Sequence, residues 1–217
     1  MFITRNTQKG LTLIELMIAM TLGIFVTGVI VTVFTTIVRS NVENMKMIRL
    51  NQELRGAMTF MVDEIKRTGY SANPAESAFM ASFDPTTDFC ILYSYDSNGN
   101  GERDLSGTEQ EEFGFRLDSG SKQIRWARDT ADSCNFTGES ITDANMAEIT
   151  ALVFDVSGSI NDEVVFDPAV IPAPSGVSVY DITITLTGTT DLPHSSNPIR
   201  TIIETIRVRN DAPDPTP

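Results

Sequence analysis

Oxygen-bearing side chains recur at alternate positions in a polar segment near the middle of the chain. They occupy the first, third, fifth, seventh and ninth positions of a loop of the EF-hand kind. The five residues are Asp96, Asn98, Asn100, Glu102 and Asp104, of which Glu102 would use its backbone carbonyl. Calcium prefers about six to eight hard oxygen ligands, and Gly101 at the sixth position permits the sharp turn of such a loop. The spacing therefore predicts a calcium site.

The same segment also has the composition of an exposed turn without metal. Gly107 stands at the twelfth position, where an EF-hand places a bidentate Glu, so Glu109 or Glu111 would have to fold back. Asn, Asp and Gly are turn residues, and the segment holds two Asn-Gly pairs. From the sequence, a calcium loop and a metal-free turn both remain open.

A single carboxylate, Glu15, lies in a long apolar segment near the N-terminus. It is the only charged residue among the 28 between Gly10 and Arg39. At the rise of an α-helix these residues span roughly 42 Å, which is enough to cross a bilayer. An ionised carboxylate in hydrocarbon is costly, so Glu15 needs a partner or a proton unless it is solvated at headgroup depth.

The residues before the apolar segment predict its orientation. Arg5 and Lys9 precede it, so we expect a cytoplasmic N-terminus, a single membrane pass and export of the remainder. The segment is too long for the apolar part of a secretory signal, and no A-x-A site follows it. We therefore expect it to remain in the mature protein.

The boundary at Gly10 resembles the prepilin signal of type IV pilins and type II secretion pseudopilins. Its residues read KGLTLIEL. The resemblance implies that prepilin peptidase cleaves after Gly10 and methylates the new amine of Leu11. It also implies that Glu15 pairs with this amine, on a neighbouring subunit or on the same chain, during assembly. Two features depart from the family: Leu11 stands where Phe is usual, and the mid-span proline of major pilins is absent.

The two cysteines, Cys90 and Cys134, both lie in the region expected to be exported. An even count in an oxidising compartment favours a disulfide between them. Two buried free thiols are the alternative, because sequence does not show whether the two Cα atoms approach each other.

Charge is unevenly distributed along the chain. Residues 1–70 hold 8 of the 16 basic and 5 of the 29 acidic residues, so the remainder carries a net charge of −16. An acidic exported domain repels phosphate backbones, so we expect no direct nucleic-acid binding.

Catalytic motifs are missing from the sequence. His194 is the only histidine and lies in a proline-flanked segment, and none of the common hydrolase, zinc or nucleotide-binding strings occurs. We expect no enzymatic activity, and we expect Trp126 to belong to the core.

The elements predict an α+β fold in which a long N-terminal helix, transmembrane and then amphipathic, packs on an antiparallel β-sheet domain. One helix is predicted over 11–68, because apolar residues recur at steps of three and four after Arg39. Strands are predicted at 89–95, 112–117, 123–128, 149–156, 177–187 and 202–208. This order resembles PilW-type minor pilins and, as an alternative, the J-type pseudopilin of type II secretion.

The predicted organisation has five parts. These are a leader at 1–10, a membrane and filament-core half-helix at 11–38, an amphipathic half-helix at 39–69, a globular domain at 70–209 and a disordered tail at 210–217. The resemblance implies partners in other pilin subunits, prepilin peptidase and the inner-membrane assembly platform, and a periplasmic or surface filament. A membrane-anchored, calcium-dependent adhesin that never polymerises is the alternative of another class.

Overall fold

The computed structural model describes residues 10–73, 79, 84–87, 89–105, 107, 109–130, 133–158, 160–162, 177–193, 195–208 and 212–213. The leader residues 1–9 and His194 lie outside this described part. Of the tail predicted to be disordered, Ala212–Pro213 is described as a short strand, and the other residues are outside. The chain divides into two compact units, Met1–Met45 and Lys46–Pro217.

One continuous helix, α1, spans Leu13–Ile65. It begins two residues later than predicted, because Thr12 caps it. Its end precedes the predicted one by three residues, since the N–H groups of Arg67 and Thr68 bond to carbonyls three residues back, at 3.0 and 3.1 Å. Gly69 then adopts a φ of 76°, a left-handed conformation that glycine accepts without strain.

The second half of α1 is amphipathic, as predicted. Its apolar stripe is buried against the β-strands of the same unit. The stripe comprises Leu50, Leu54, Ala57, Met58, Met61, Val62 and Ile65. Steps of three and four place these side chains on one helix face, which explains why this half packs as core.

Eleven strands are described, and all pairings among them are antiparallel. They are β1 Asp84–Thr87, β2 Cys90–Ser94, β3 Glu112–Asp118, β4 Gln123–Arg128, β5 Glu139–Ser140, β6 Glu148–Asp155, β7 Ile160–Asp162, β8 Val177–Val179, β9 Asp181–Thr189, β10 Ile199–Arg207 and β11 Ala212–Pro213. They form one five-stranded sheet, β1-β2-β3-β4-β5, and two three-stranded sheets, β10-β9-β6 and β11-β8-β7. The predicted α+β fold is confirmed, with the β-structure divided among three small sheets.

The core of the second unit lies between α1 and two of the sheets, β1-β2-β3-β4-β5 and β10-β9-β6. Along β9 the side chains alternate, so that Ile182, Ile184 and Leu186 are buried while the intervening threonines face the other side. Trp126 is half-buried and packs against this core, in edge contact with Phe60. Its predicted place in the core is therefore confirmed.

Candidate functional site

The start of α1 holds Glu15 in a reciprocal cap with Thr12. The backbone N–H and the hydroxyl of Thr12 both donate to Oε2 of Glu15, at 2.9 and 2.7 Å. In return, the N–H of Glu15 donates to the Thr12 hydroxyl at 3.3 Å. This arrangement satisfies donors that a helix start otherwise leaves without partners. Glu15 thus has a partner within its own chain, one that the sequence analysis missed.

The missed contact had a signal in the sequence. Thr12 and Glu15 have the spacing of a capping box, in which Ser or Thr is followed three residues later by Glu or Gln. Both bonds that Glu15 accepts from Thr12 end on Oε2. The other carboxylate oxygen of Glu15, Oε1, can therefore still be approached by a cation from another molecule.

The first half of α1 exposes an apolar surface on all sides. Every residue from 10 to 42 is exposed, and by length and composition α1 is a helix that could cross a membrane. Threonine hydroxyls in this half donate to the carbonyl oxygen one turn earlier, as in Thr27 to Gly23 at 2.8 Å and Thr32 to Gly28 at 2.9 Å. These bonds satisfy the hydroxyls internally, which suits a lipid environment.

The predicted calcium loop is built around the buried carboxylate of Asp96. Its Oδ1 accepts the N–H of Gly99 at 2.6 Å, and its Oδ2 accepts those of Gly101 and Ala72, both at 2.9 Å. Burial alone would raise the pKa of Asp96, but these backbone N–H groups outweigh it and hold the pKa below 3.8. The side-chain carboxylate of Asp96 therefore holds the turn together by accepting backbone N–H groups.

The other predicted ligands meet on the exposed side of the loop. The side-chain amides of Asn98 and Asn100 donate to Oδ2 of Asp104 at 2.9 and 3.0 Å, and Asn98 also donates to Glu109 at 3.2 Å. The side chain of Glu102 is exposed. Glu109 thus folds back over the loop, as the calcium prediction requires.

Glu111 folds back as well, but onto the backbone. Its fully buried carboxylate accepts the N–H groups of Ser97 at 2.6 Å and of Asn98 and Asp104 at 3.3 Å. Among the described residues, no group of three or more His, Cys, Asp or Glu side chains could hold a metal. The loop is closed by its own hydrogen bonds, and calcium binding stays a prediction.

Cys90 and Cys134 form a disulfide with a Cα–Cα distance of 6.0 Å. Cys90 is fully buried and packs with Leu92, Ala127 and Phe136 in a small cluster separate from the main core. The bond fastens the loop after β4 to β2. The disulfide expected from the sequence is therefore present in the structure.

Comparison with known families assigns both parts of the chain. Residues 43–208 match the family described as Prepilin peptidase-dependent protein B, and residues 5–31 match the Prokaryotic N-terminal methylation motif. No curated protein and no solved structure shows significant similarity to the chain. The first match covers more than half of the chain, and the second includes the boundary at Gly10 and the capped Glu15. The chain therefore belongs to the Prepilin peptidase-dependent protein B family and is a pilin-like subunit with an N-terminal methylation motif.

Proposed function

We propose that this chain is a minor pilin of a type IV pilus that is incorporated in the filament or primes its assembly. Prepilin peptidase would cleave after Gly10 and methylate the amine of Leu11. The observation that carries this proposal is the methylation motif at residues 5–31, which overlaps the exposed, apolar first half of α1. An exposed apolar half-helix is the part that membrane lipid covers before assembly and neighbouring helices cover afterwards.

Glu15 is the residue to which we assign register during assembly. The capping bonds from Thr12 hold its carboxylate at the first turn of α1, close to the amine that cleavage would create on Leu11. Within the membrane or between packed helices, an amine and a carboxylate stabilise each other strongly, because water does not screen their charges. A neighbouring subunit whose Leu11 amine meets Glu15 would be fixed in height along the filament.

Membrane orientation follows the same proposal. Arg5 and Lys9 would keep the N-terminus in the cytoplasm, and the unit beginning at Lys46 would lie outside the inner membrane. The partners would be other pilin-like subunits, prepilin peptidase and the assembly platform. The net charge of −16 over residues 71–217 argues against direct binding of nucleic acid.

The first test is the mass of the N-terminus of the native protein. A chain that starts at a methylated Leu11 supports the proposal. An intact Met1 on a working protein would overturn it and favour the membrane-anchored adhesin.

The second test separates the charge of Glu15 from its capping role. Glu15→Gln keeps an oxygen that can accept the Thr12 bonds but carries no charge, whereas Glu15→Ala loses both. We expect both variants to enter the membrane and neither to enter filaments. Normal filament incorporation of Glu15→Gln would refute the role of the charge.

A deletion strain distinguishes the type IV pilus from the type II secretion system. Loss of surface filaments with normal protein secretion supports the minor pilin. Loss of secretion with normal surface filaments would instead assign the chain as a J-type pseudopilin, which would share the processing and the Glu15 contact.

A further inference from the structure

Strand β10 is an edge strand whose outer side is open to pairing. It is the outer strand of the sheet β10-β9-β6, and its nine residues pair with β9 in unbroken register. Within the described part of the chain, no strand pairs with its other side. Edge strands are commonly shielded by charged side chains, especially lysine, by proline or by a bulge. β10 has no lysine, proline or bulge, and its charged residues are Arg200, Glu204 and Arg207.

The hydrogen bonding of the edge fixes which backbone groups point outward. Just beyond β10, the N–H of Val208 donates to the carbonyl of Tyr180 at 3.0 Å, in the register of the β9-β10 ladder. Because bonded pairs alternate in an antiparallel ladder, even-numbered residues of β10 bond to β9. The N–H and C=O groups of Thr201, Ile203 and Thr205 therefore point away from the sheet.

The side chains of Ile199, Thr201, Ile203 and Thr205 make an uncharged strip on one face of the sheet. Ile199 and Ile203 are 72% and 65% exposed, which is unusual for isoleucine on a sheet. The hydroxyls of Thr201 and Thr205 are bonded across the ladder to those of Thr187 and Thr183, each at 2.9 Å. Since the sheet already satisfies these hydroxyls, removing water from this face costs little.

The lack of charge on this strip is unusual for an acidic domain. The cross-strand partners of Thr201, Ile203 and Thr205 are three threonines of β9, so no carboxylate lies opposite them. Beyond them, Asp181 and Arg207 close the strip as an ion pair at 2.8 Å. A second acidic domain can approach here with less repulsion than over the carboxylate-bearing surface.

We propose that β10 accepts an added strand from a different pilin-like subunit of the same filament. The added strand would present uncharged β-branched side chains beside Ile203. On its other side it would place an acidic residue opposite Arg200 and a basic one opposite Glu204, because both charges are exposed on that side of β10. This inference rests on the proposed function, since it takes its partner from the filament.

A second copy of this chain fits the edge less well than a different subunit. Two copies paired antiparallel through β10 would be related by a two-fold axis perpendicular to the sheet. That axis reverses the direction of a helix packed on the sheet. The two helices would then run oppositely, whereas chains inserted in one membrane in one orientation run the same way.

Residue-level hydrogen exchange on the full chain tests the inference. We would compare the chain alone in detergent with the chain co-purified with the other pilin-like subunits of its filament. On assembly, the amides of Thr201, Ile203 and Thr205 should each exchange about tenfold more slowly, which is the protection expected from one added backbone hydrogen bond. The amides of Ile202 and Glu204, which already bond to β9, should not change and serve as the internal control.

Variants test whether the edge is needed. Ile203→Lys places a charge at the centre of the strip, whereas Ile203→Thr keeps a β-branched uncharged side chain. Met146→Lys adds the same charge at another exposed apolar residue. We expect all three to unfold at the wild-type temperature and only Ile203→Lys to lose co-purification, by about tenfold or more.

Three results would overturn the inference. One is unchanged exchange of Thr201, Ile203 and Thr205 in an assembled wild-type chain. Another is normal co-purification of Ile203→Lys. The third is a dimer of the chain alone that protects these amides, which would assign the edge to a second copy. Failure of wild-type processing at Leu11 or of wild-type assembly would instead count against the proposed function.

Discussion

The hydroxyl of Tyr95 donates a hydrogen bond to Oε2 of Glu64 over 3.0 Å, in a site that solvent hardly reaches. The same carboxylate forms an ion pair with Arg67 at 3.2 Å, and the Arg67 guanidinium lies over the Tyr95 ring. Tyr95 directly follows β2, and Glu64 lies in the last turn of α1. The pair therefore joins the helix end to the five-stranded sheet.

Removing the Tyr95 hydroxyl should destabilise the second unit. Tyr95→Phe keeps the ring stacked on Phe113, 4.5 Å between centroids, but leaves Glu64 with one partner fewer. We expect a loss of about 1.5–3 kcal/mol in the free energy of unfolding, typical of a hydrogen bond to a charged group. Urea unfolding monitored by the fluorescence of Trp126, the single tryptophan, measures it. Tyr70→Phe, at a half-exposed tyrosine, is the control and should change little.

Alkaline pH should act through the same tyrosine. Burial, and then the charge of Glu64, raise the pKa of Tyr95 above 10.0. A raised pKa means that the folded state keeps its proton while the unfolded state loses it, so this stability is present below pH 10 and falls as the pH rises further. The wild-type chain should therefore lose stability above about pH 10 more steeply than Tyr95→Phe. Parallel losses in the two proteins would contradict this.

Sequence periodicity predicted the helix and the strands that have one buried face. It placed the stripe of α1 and the alternation along β9 correctly, because both follow directly from burial on one side. It missed β1, which contains Pro85, because proline is uncommon in strands; β1 is an edge strand, where proline is tolerated. Strands of two or three residues, such as β5 and β7, are too short to show a period.

Partners that are distant in sequence could not be predicted in the same way. The segment predicted as one strand over 177–187 divides at Tyr180, because Val177–Val179 pairs with β7 and β11 while β9 pairs with β10 and β6. Periodicity is the same on both sides of such a break. The contact of Glu64 with Tyr95, 31 residues apart, depends on how α1 lies on the sheet. By contrast, the Thr12 and Glu15 cap is local and could have been read from its spacing.

Loss of the disulfide should lower stability by about 4 kcal/mol, from the entropy of a loop of this length. The two cysteines are 44 residues apart. We would replace both with alanine and compare urea unfolding with that of the wild-type chain, with and without reductant. Reduction should destabilise the wild type and leave the double variant unchanged. A wild-type chain indifferent to reductant would show that the bond contributes nothing.

Glycine at position 138 should be required by packing. A Cβ added there would overlap the carbonyl oxygen of Trp126, so the β4-β5 pairing would have to open. We expect Gly138→Ala to cost about 1–3 kcal/mol or more. Gly158→Ala is the matched control, because the nearest atom to its added Cβ is 3.8 Å away. Equal stability of the two variants in urea would contradict the assignment.

Calcium binding is best tested at Asp104, because the carboxylate of Asp96 accepts the backbone N–H groups that hold the turn, and its loss would disrupt the loop with or without metal. Asp104 instead accepts hydrogen bonds from the side-chain amides of Asn98 and Asn100. To coordinate an ion beside Asp104, these two amides would have to rotate so that their oxygens face the ion.

Extracellular calcium sites typically have dissociation constants of about 10⁻⁴–10⁻³ M. If the loop binds calcium, millimolar Ca²⁺ should therefore raise the melting temperature of the wild type. Asp104→Asn should abolish this shift but retain the calcium-free melting temperature, whereas Glu139→Gln, at an exposed acid elsewhere, should keep the shift. A melting temperature that is the same in Ca²⁺ and in EDTA would leave the loop as a metal-free turn closed by Asp96 and Glu111.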